Sequence, residues 1–282
     1  MQRAPTEPLK VAVAGLGAVG LPLAKWLDGD QGPAQAQGQR RLALHAVSAR
    51  DQVAAVVKLA GFRRPPPIRD LDSLCDGADV VVEGLPPELF RPLAERALGQ
   101  GLIFVPLTVT QLILHMDLVD LAERTGARII VPTGAILGLD AVRAAARGTV
   151  RSVTMITRKP PAGLVNTPHV REQGIDLSDL TEPLKLYEGS VRDAAQKFPA
   201  NVNVSVALAL AGIGLDRTRY EIWADPGVSR NTHVIEVDAD STWFRMEIAG
   251  VPSEGNPATG RLTPLSAIAA LEGLVSTLKV GS

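Results

Sequence analysis

An α/β fold is predicted for this chain, with an N-terminal parallel sheet of the dinucleotide-binding type followed by a second α+β domain built on a mixed sheet. Three observations predict it. Between residues 9 and 131, apolar runs of strand length alternate with helical stretches, which implies βαβ units around a parallel sheet covered on both faces. Gly15, Gly17 and Gly20 stand where the first apolar strand would turn into the first helix. After Pro132-Thr133-Gly134 the alternation gives way to a long polar region and then to three strands that alternate as in an antiparallel sheet.

Residues 9 to 14 read as a buried strand and Ala18 to Leu27 as a helix whose Pro22 falls in the tolerated first turn. Further strands are predicted at Leu42 to Ser48, Asp79 to Glu83, Leu102 to Leu107 and Arg128 to Val131, with helices at Pro87 to Leu98 and Leu112 to Thr125. Asp28 to Arg41, rich in Gln, Gly and Ala, reads as a surface excursion, and Arg63-Arg64-Pro65-Pro66-Pro67 as a loop. Beyond Gly134 the expected elements are a helix at Leu139 to Arg147, a strand at Ser152 to Arg158, and a helix capped by Ser190 and running to Phe198. A helix at Val202 to Leu210 and strands at Tyr220 to Ala224, Thr232 to Val237 and Trp243 to Ile248 follow. The resulting domains are 1–134 and 135–261, with a C-terminal helix within 262–282 packing back on the first.

Composition narrows the classes of function. A net charge of -1 gives no electrostatic case for nucleic acid or an anionic membrane surface, and a small-molecule ligand is the default expectation. The single cysteine, Cys75, excludes an internal disulfide and fits a reducing, cytoplasmic setting. No apolar leader precedes the first strand, and the longest apolar stretch, around Val204 to Leu215, is shorter than the ~20 residues a spanning helix needs. No cluster of Cys, His or Asp has metal-ligand spacing.

In the glycine triplet the first residue allows the tight turn, the second lets the backbone approach a pyrophosphate, and the third lets helix and strand pack closely. Gly15, Gly17, Ala18, Val19 and Gly20 are therefore expected to cradle a dinucleotide on the helix N-terminus. At the end of the second strand, Arg50 would accommodate a ribose 2′-phosphate, favouring NADP, while Asp51 keeps NAD open; both could equally cap the next helix or face solvent.

Nicotinamide chemistry also calls for an acid or base near the reacting heteroatom. His45, His115 and His169 read as packing or surface residues. His233 is delivered to the start of a strand by the polar turn Asp225 to Thr232, which suits proton transfer as well as it suits an ordinary hydrogen-bonding histidine. Arg158 and Lys159 could clamp a dicarboxylate or end a strand in solvent. Asn201 and Asn203 head an apolar helix, where one could bind the nicotinamide carboxamide and the other act as a cap.

Taken together these segments resemble the L-aspartate dehydrogenase family. The resemblance rests on the glycine loop at 15 to 20, Val131 to Asp140, Thr157 to Pro161, Glu188-Gly189-Ser190 with Phe198 to Val204, Asp225 to His233, and Val251-Pro252-Ser253 with Asn256-Pro257. It implies a Rossmann domain, a second domain that closes over the cofactor, and a homodimer. It also implies NAD(P)-dependent oxidative deamination of L-aspartate through iminoaspartate to oxaloacetate and ammonia, or the reverse, with the imine in some organisms feeding NAD synthesis. By the same resemblance His233 is the active-site residue and Ala135 and Asn203 contact the cofactor; Asn231 and Thr232, just before His233, are expected to bind substrate. The stretch Phe104 to Thr110 departs from the family pattern. Two other readings stand beside this one: an NAD(P)-dependent dehydrogenase of another small amino, imino or hydroxy acid, and a non-catalytic NAD(P)-binding regulatory protein.

Overall fold

The computed structural model describes residues 7–29, 41–199, 201–253 and 256–281. The start of the chain and most of the excursion between Asp28 and Arg41 lie outside the described residues. The chain divides into two compact units, Met1–Pro132 with Pro264–Lys279, and Thr133–Thr263 with Val280–Ser282.

The first unit is built on an all-parallel sheet of β1 (Leu9–Ala14), β2 (Leu42–Ser48), β3 (Val80–Glu83), β4 (Ile103–Pro106) and β5 (Arg128–Ile129), in the order β2-β1-β3-β4-β5. Its central strands are apolar without alternation because both faces are covered. On one face Ala12, Val81 and Phe104 meet Phe90, Leu93 and Ala97 of α3 (Pro87–Gly99) and Leu118 of α5 (Asp117–Thr125). On the other, Val11, Val13 and Val82 meet Leu23 and Leu27 of α1 (Gly20–Asp28), Leu59 of α2 (Gln52–Leu59) and Leu271 of α10 (Leu262–Val275). Helix α2 is the helix for which Asp51 was offered as a cap, though its range was not assigned; Asp51 starts it by accepting a hydrogen bond from the Ala54 amide at 2.9 Å. The helix expected at Leu112 to Thr125 is two pieces, α4 (Val109–Leu114) and α5. His115 breaks it, leaving helical dihedrals while its ring stacks on Phe90 and bonds Arg91.

The second unit carries a mixed sheet of β6 (Val150–Lys159), β7 (Leu184–Ser190), β8 (Thr218–Ala224), β9 (Thr232–Ala239) and β10 (Trp243–Ala249), in the order β10-β9-β6-β8-β7. Strand β6 inserts between β8 and β9, so β8 runs parallel to β6 instead of pairing with its sequence neighbour as an antiparallel hairpin. Strand β7 lies inside the region expected to be irregular. It is an edge strand, paired only with β8 and half exposed, and so has the polar composition of a loop. Helices α6 (Leu139–Ala145), α8 (Val191–Lys197) and α9 (Asn203–Ala211) pack together, α8 also against β7 and β8, while the short α7 (Pro168–Glu172) contributes Val170 to the core. Ser190 caps α8 through the Asp193 amide. A small pair, β11 (Pro252–Ser253) with β12 (Asn256–Gly260), precedes α10.

Candidate active site

The carboxyl ends of β1 and β3 lie where the strand order of the first sheet reverses, the position at which open α/β sheets bind their ligands. The glycines there have different geometric reasons to be glycine. Gly15 takes φ +95°, and a Cβ on it would fall 2.4 Å from the Gly84 carbonyl oxygen. A Cβ on Gly20 would fall 1.9 Å from the Gly15 carbonyl oxygen, so the third glycine is what lets helix and loop touch. A Cβ on Gly17 would meet nothing within 4 Å. Space is thus kept open at the position where the glycine-triplet pattern brings backbone and pyrophosphate together. Helix α1 has Val19 as its N-cap residue, with no side-chain capping bond and no acidic residue in its first turn, leaving its positive end without internal competition for an anion. These residues fit a dinucleotide. Beside them Arg50 is exposed, whereas Asp51 is engaged in capping α2.

In the second unit a polar cluster is buried on one face of the mixed sheet. Strand alternation places Thr157 and Lys159 of β6 on that face, and the register sets Thr157 opposite His233 of β9. His233 is 4 % exposed, with Nδ1 2.9 Å from Thr157 Oγ1. The Lys159 ammonium, 8 % exposed as a residue, donates to Asn201 Oδ1 at 2.6 Å. Tyr220 of β8 closes the back, its hydroxyl interacting with the side chains of Thr157 and Ser205 and donating to the Asn201 carbonyl at 3.5 Å. Burial, and then the nearby Lys159 charge, lower the His233 pKa to about 4; burial lowers that of Lys159 to about 8. The ring is therefore neutral near pH 7, whereas the lysine, with its midpoint at about 8, is still mostly cationic there.

Arg158 does not join Lys159. One residue earlier on an extended strand, it projects to the opposite sheet face, donates to Asp225 Oδ2 at 3.0 Å and lies 4.8 Å over the Trp223 ring. The pair does not converge into a clamp within this unit. Asp225 in turn accepts from the Gly227 amide at 2.8 Å and bonds the Lys159 carbonyl through its own amide, so the turn leading into β9 is tied to the end of β6. Asn231 and Thr232 follow that turn half-buried, and the Asn231 carbonyl accepts from the Gly250 amide at 2.9 Å. Ala135 follows Gly134, which takes φ +68°, and Asn203 opens α9. The remaining histidines are ligatures: His45 Nε2 lies 2.9 Å from the Asp76 carbonyl, and His169 Nε2 lies 3.2 Å from the Leu186 carbonyl, with its ring against Phe198.

Thr157, Tyr220 and Ser205 escaped the sequence reading. Thr157 could have been found from strand alternation, two residues from Lys159; Tyr220 and Ser205 join the cluster only through sheet register and helix packing, which no local pattern encodes.

Phosphate-shaped glycines at a sheet switch point, in a chain whose second unit buries acid and base groups, are the marks of a dinucleotide-dependent dehydrogenase, and this chain is one. The profile described as the NAD-binding domain of homoserine dehydrogenase matches residues 15–132, and that described as the C-terminal part of aspartate dehydrogenase matches residues 140–274. The chain is 50% identical to an L-aspartate dehydrogenase of Bradyrhizobium diazoefficiens over 98% of its own length and 95% of the relative's. It is 47% identical to L-aspartate dehydrogenase 3 of Bordetella bronchiseptica, covering 98% of both. It thus belongs to the L-aspartate dehydrogenase family. A crystal structure of aspartate dehydrogenase from Thermotoga maritima shares the fold, with a TM-score of 0.69 at 21% identity over 98% of this chain and 100% of that one. Among the described residues no group of His, Cys, Asp and Glu could hold a metal ion, and no helix is long and apolar enough to cross a membrane.

Proposed function

We propose that this chain is an NAD(P)-dependent L-aspartate dehydrogenase, oxidising L-aspartate through iminoaspartate to oxaloacetate and ammonia, or running the reverse amination. The observation that carries the reading is the shared sheet face of His233 and Lys159: a neutral imidazole with one nitrogen held, beside a buried cation. The nicotinamide supplies, when bound, the acceptor for the α-hydrogen leaving as hydride.

His233 handles protons at the substrate nitrogen or at the water that adds to the imine carbon. With Nδ1 engaged by Thr157, Nε2 is the nitrogen that exchanges a proton, and a ring neutral at pH 7 acts first as a base. Lys159 binds a substrate carboxylate, its ammonium aimed by Asn201. Arg158 supports the site from the far face by fixing Asp225 and the turn that carries Asn231, Thr232 and His233. Ala135 and Asn203 are assigned to cofactor contact, and Gly15, Gly17, Ala18, Val19 and Gly20 to the pyrophosphate.

NADP is the favoured cofactor. Asp51, the acid that would bind an unmodified ribose, is spent on the cap of α2, while Arg50 beside it is exposed. Cys75, buried and unpaired, suits a reducing cytoplasmic setting.

His233→Ala tests the reading. The expected result is a fall in kcat for L-aspartate oxidation of roughly 10²-fold or more, with NADPH affinity within about two-fold of wild type. Unchanged turnover would remove His233 from the chemistry, and a wild-type protein that turns over another amino acid but not L-aspartate would overturn the substrate.

A further inference from the structure

Strand β3 ends in an acid. Its sequence Val80-Val81-Val82-Glu83 is buried throughout, and Glu83 itself is 0 % exposed. Among the described residues no lysine or arginine forms an ion pair with it. Its carboxylate is instead held by the two loops that follow β3 and β4. Oε1 accepts from the Leu85 amide at 2.7 Å and from the Thr108 hydroxyl at 2.9 Å, while Oε2 accepts from the Thr108 amide at 3.2 Å. The Leu107 amide bonds the Glu83 carbonyl at 2.8 Å, so side chain and backbone pull the same two loops together.

A buried carboxylate without a cation is costly, and the sheet core alone gives no reason for one, since a fourth valine would continue the strand. Burial pushes its pKa upward, and the amide and hydroxyl donors of Leu85 and Thr108 oppose that shift. Its position supplies the reason. The carboxyl end of β3 is one side of the switch point, and β1 with its glycine loop is the other. Gly84, the next residue, bonds the Ala14 carbonyl through its amide at 2.9 Å, and its own carbonyl oxygen is the atom that forbids a side chain on Gly15. The carboxylate, Gly84 and the phosphate loop are thus consecutive links in one chain of contacts.

Thr108 lies in the atypical Phe104 to Thr110 segment. It occupies the N-cap of α4 yet makes no capping bond; its hydroxyl turns to Glu83 and lies 3.2 Å from the Leu85 carbonyl.

We infer that Glu83 is a positioning residue for the dinucleotide, fastening the loops after β3 and β4 to one another and to the glycine loop so that the cofactor-binding edge is set before the cofactor arrives. The inference rests on dinucleotide binding at that edge and is independent of which amino acid is oxidised.

The experiment compares the full chain with Glu83→Gln and Thr108→Val, measuring NADPH affinity by fluorescence titration without amino acid, exchange of the Leu85 and Thr108 amides in the free protein, and thermal stability. A glutamine presents an NH2 to one of the two amides that the carboxylate accepts from, so one bond is lost. The expected result for Glu83→Gln is faster exchange at Leu85 or Thr108 and NADPH binding weakened roughly ten-fold, with KM for L-aspartate at saturating cofactor within two-fold. Thr108→Val keeps the amide and loses the hydroxyl, and should weaken NADPH roughly three-fold. NADPH affinity within two-fold of wild type in both variants would overturn the inference, whatever happens to stability. If Glu83→Gln fails to fold, the Thr108→Val affinity decides alone. Wild-type protein that binds no dinucleotide would instead defeat the functional reading.

Discussion

A lysine ammonium on a buried sheet face is costly to keep charged, and Lys159 reflects it: its pKa falls to about 8. Wild-type kcat/KM for L-aspartate should therefore inflect near pH 8 and not near the ordinary histidine value. In Lys159→Met that inflection should vanish, with KM for L-aspartate raised about 10- to 100-fold, as expected for loss of a charge-assisted contact. A pH–rate series on both proteins checks this. His233 has the complementary effect on stability. Its folded pKa of about 4 lies below the ordinary 6.5, so between these values the unfolded chain binds a proton that the folded chain refuses. Its contribution is full above pH 6.5 and is lost as pH falls towards 4, by an amount on the order of 3 kcal/mol. Denaturant unfolding from pH 7 to 4 should show that slope, and His233→Gln should flatten it.

At the level of elements, the glycine loop separates folding from binding. Gly20→Ala drives a methyl group into the Gly15 carbonyl and should unfold the loop or the unit. Gly17→Ala meets open space and should keep the wild-type melting temperature while weakening NADPH at least ten-fold, a split that paired melting and titration curves resolve. The strands of the first unit were legible because burial on both faces leaves uninterrupted apolar runs, as in Leu9 to Ala14. Edge strand β7 was not, since half-exposed polar residues carry no such run. Nor was the parallel pairing of β8 with β6, which depends on a crossover through residues 160–217. At the site, His233 could be singled out from the turn preceding it, and strand alternation alone sets Thr157 with Lys159 and Arg158 apart from them, yet the pairing of Thr157 with His233 needed the register. Glu83 gave a readable signal, an acid closing an apolar strand, whose meaning required the Thr108 loop.

Across the whole molecule, the chain leaves its first unit at Pro132, runs through Thr133–Thr263 of the second, and returns at Pro264 with α10. Leu271 of that helix is fully buried among Val11, Leu23 and Leu59 of the first unit, and Arg41 reaches the helix end through the Val275 carbonyl at 2.7 Å. Leu271→Ala should destabilise the first unit by about 2–5 kcal/mol. Calorimetry should show a lower transition for the unit that NADPH protects, with the protection itself retained. The path of the backbone also orders events during synthesis. A ribosome delivers the last piece of the nucleotide-binding core only after the stretch Thr133–Thr263 has been made, so the body of the second unit, unbroken in sequence, can collapse while the earlier one still waits with an open apolar seam.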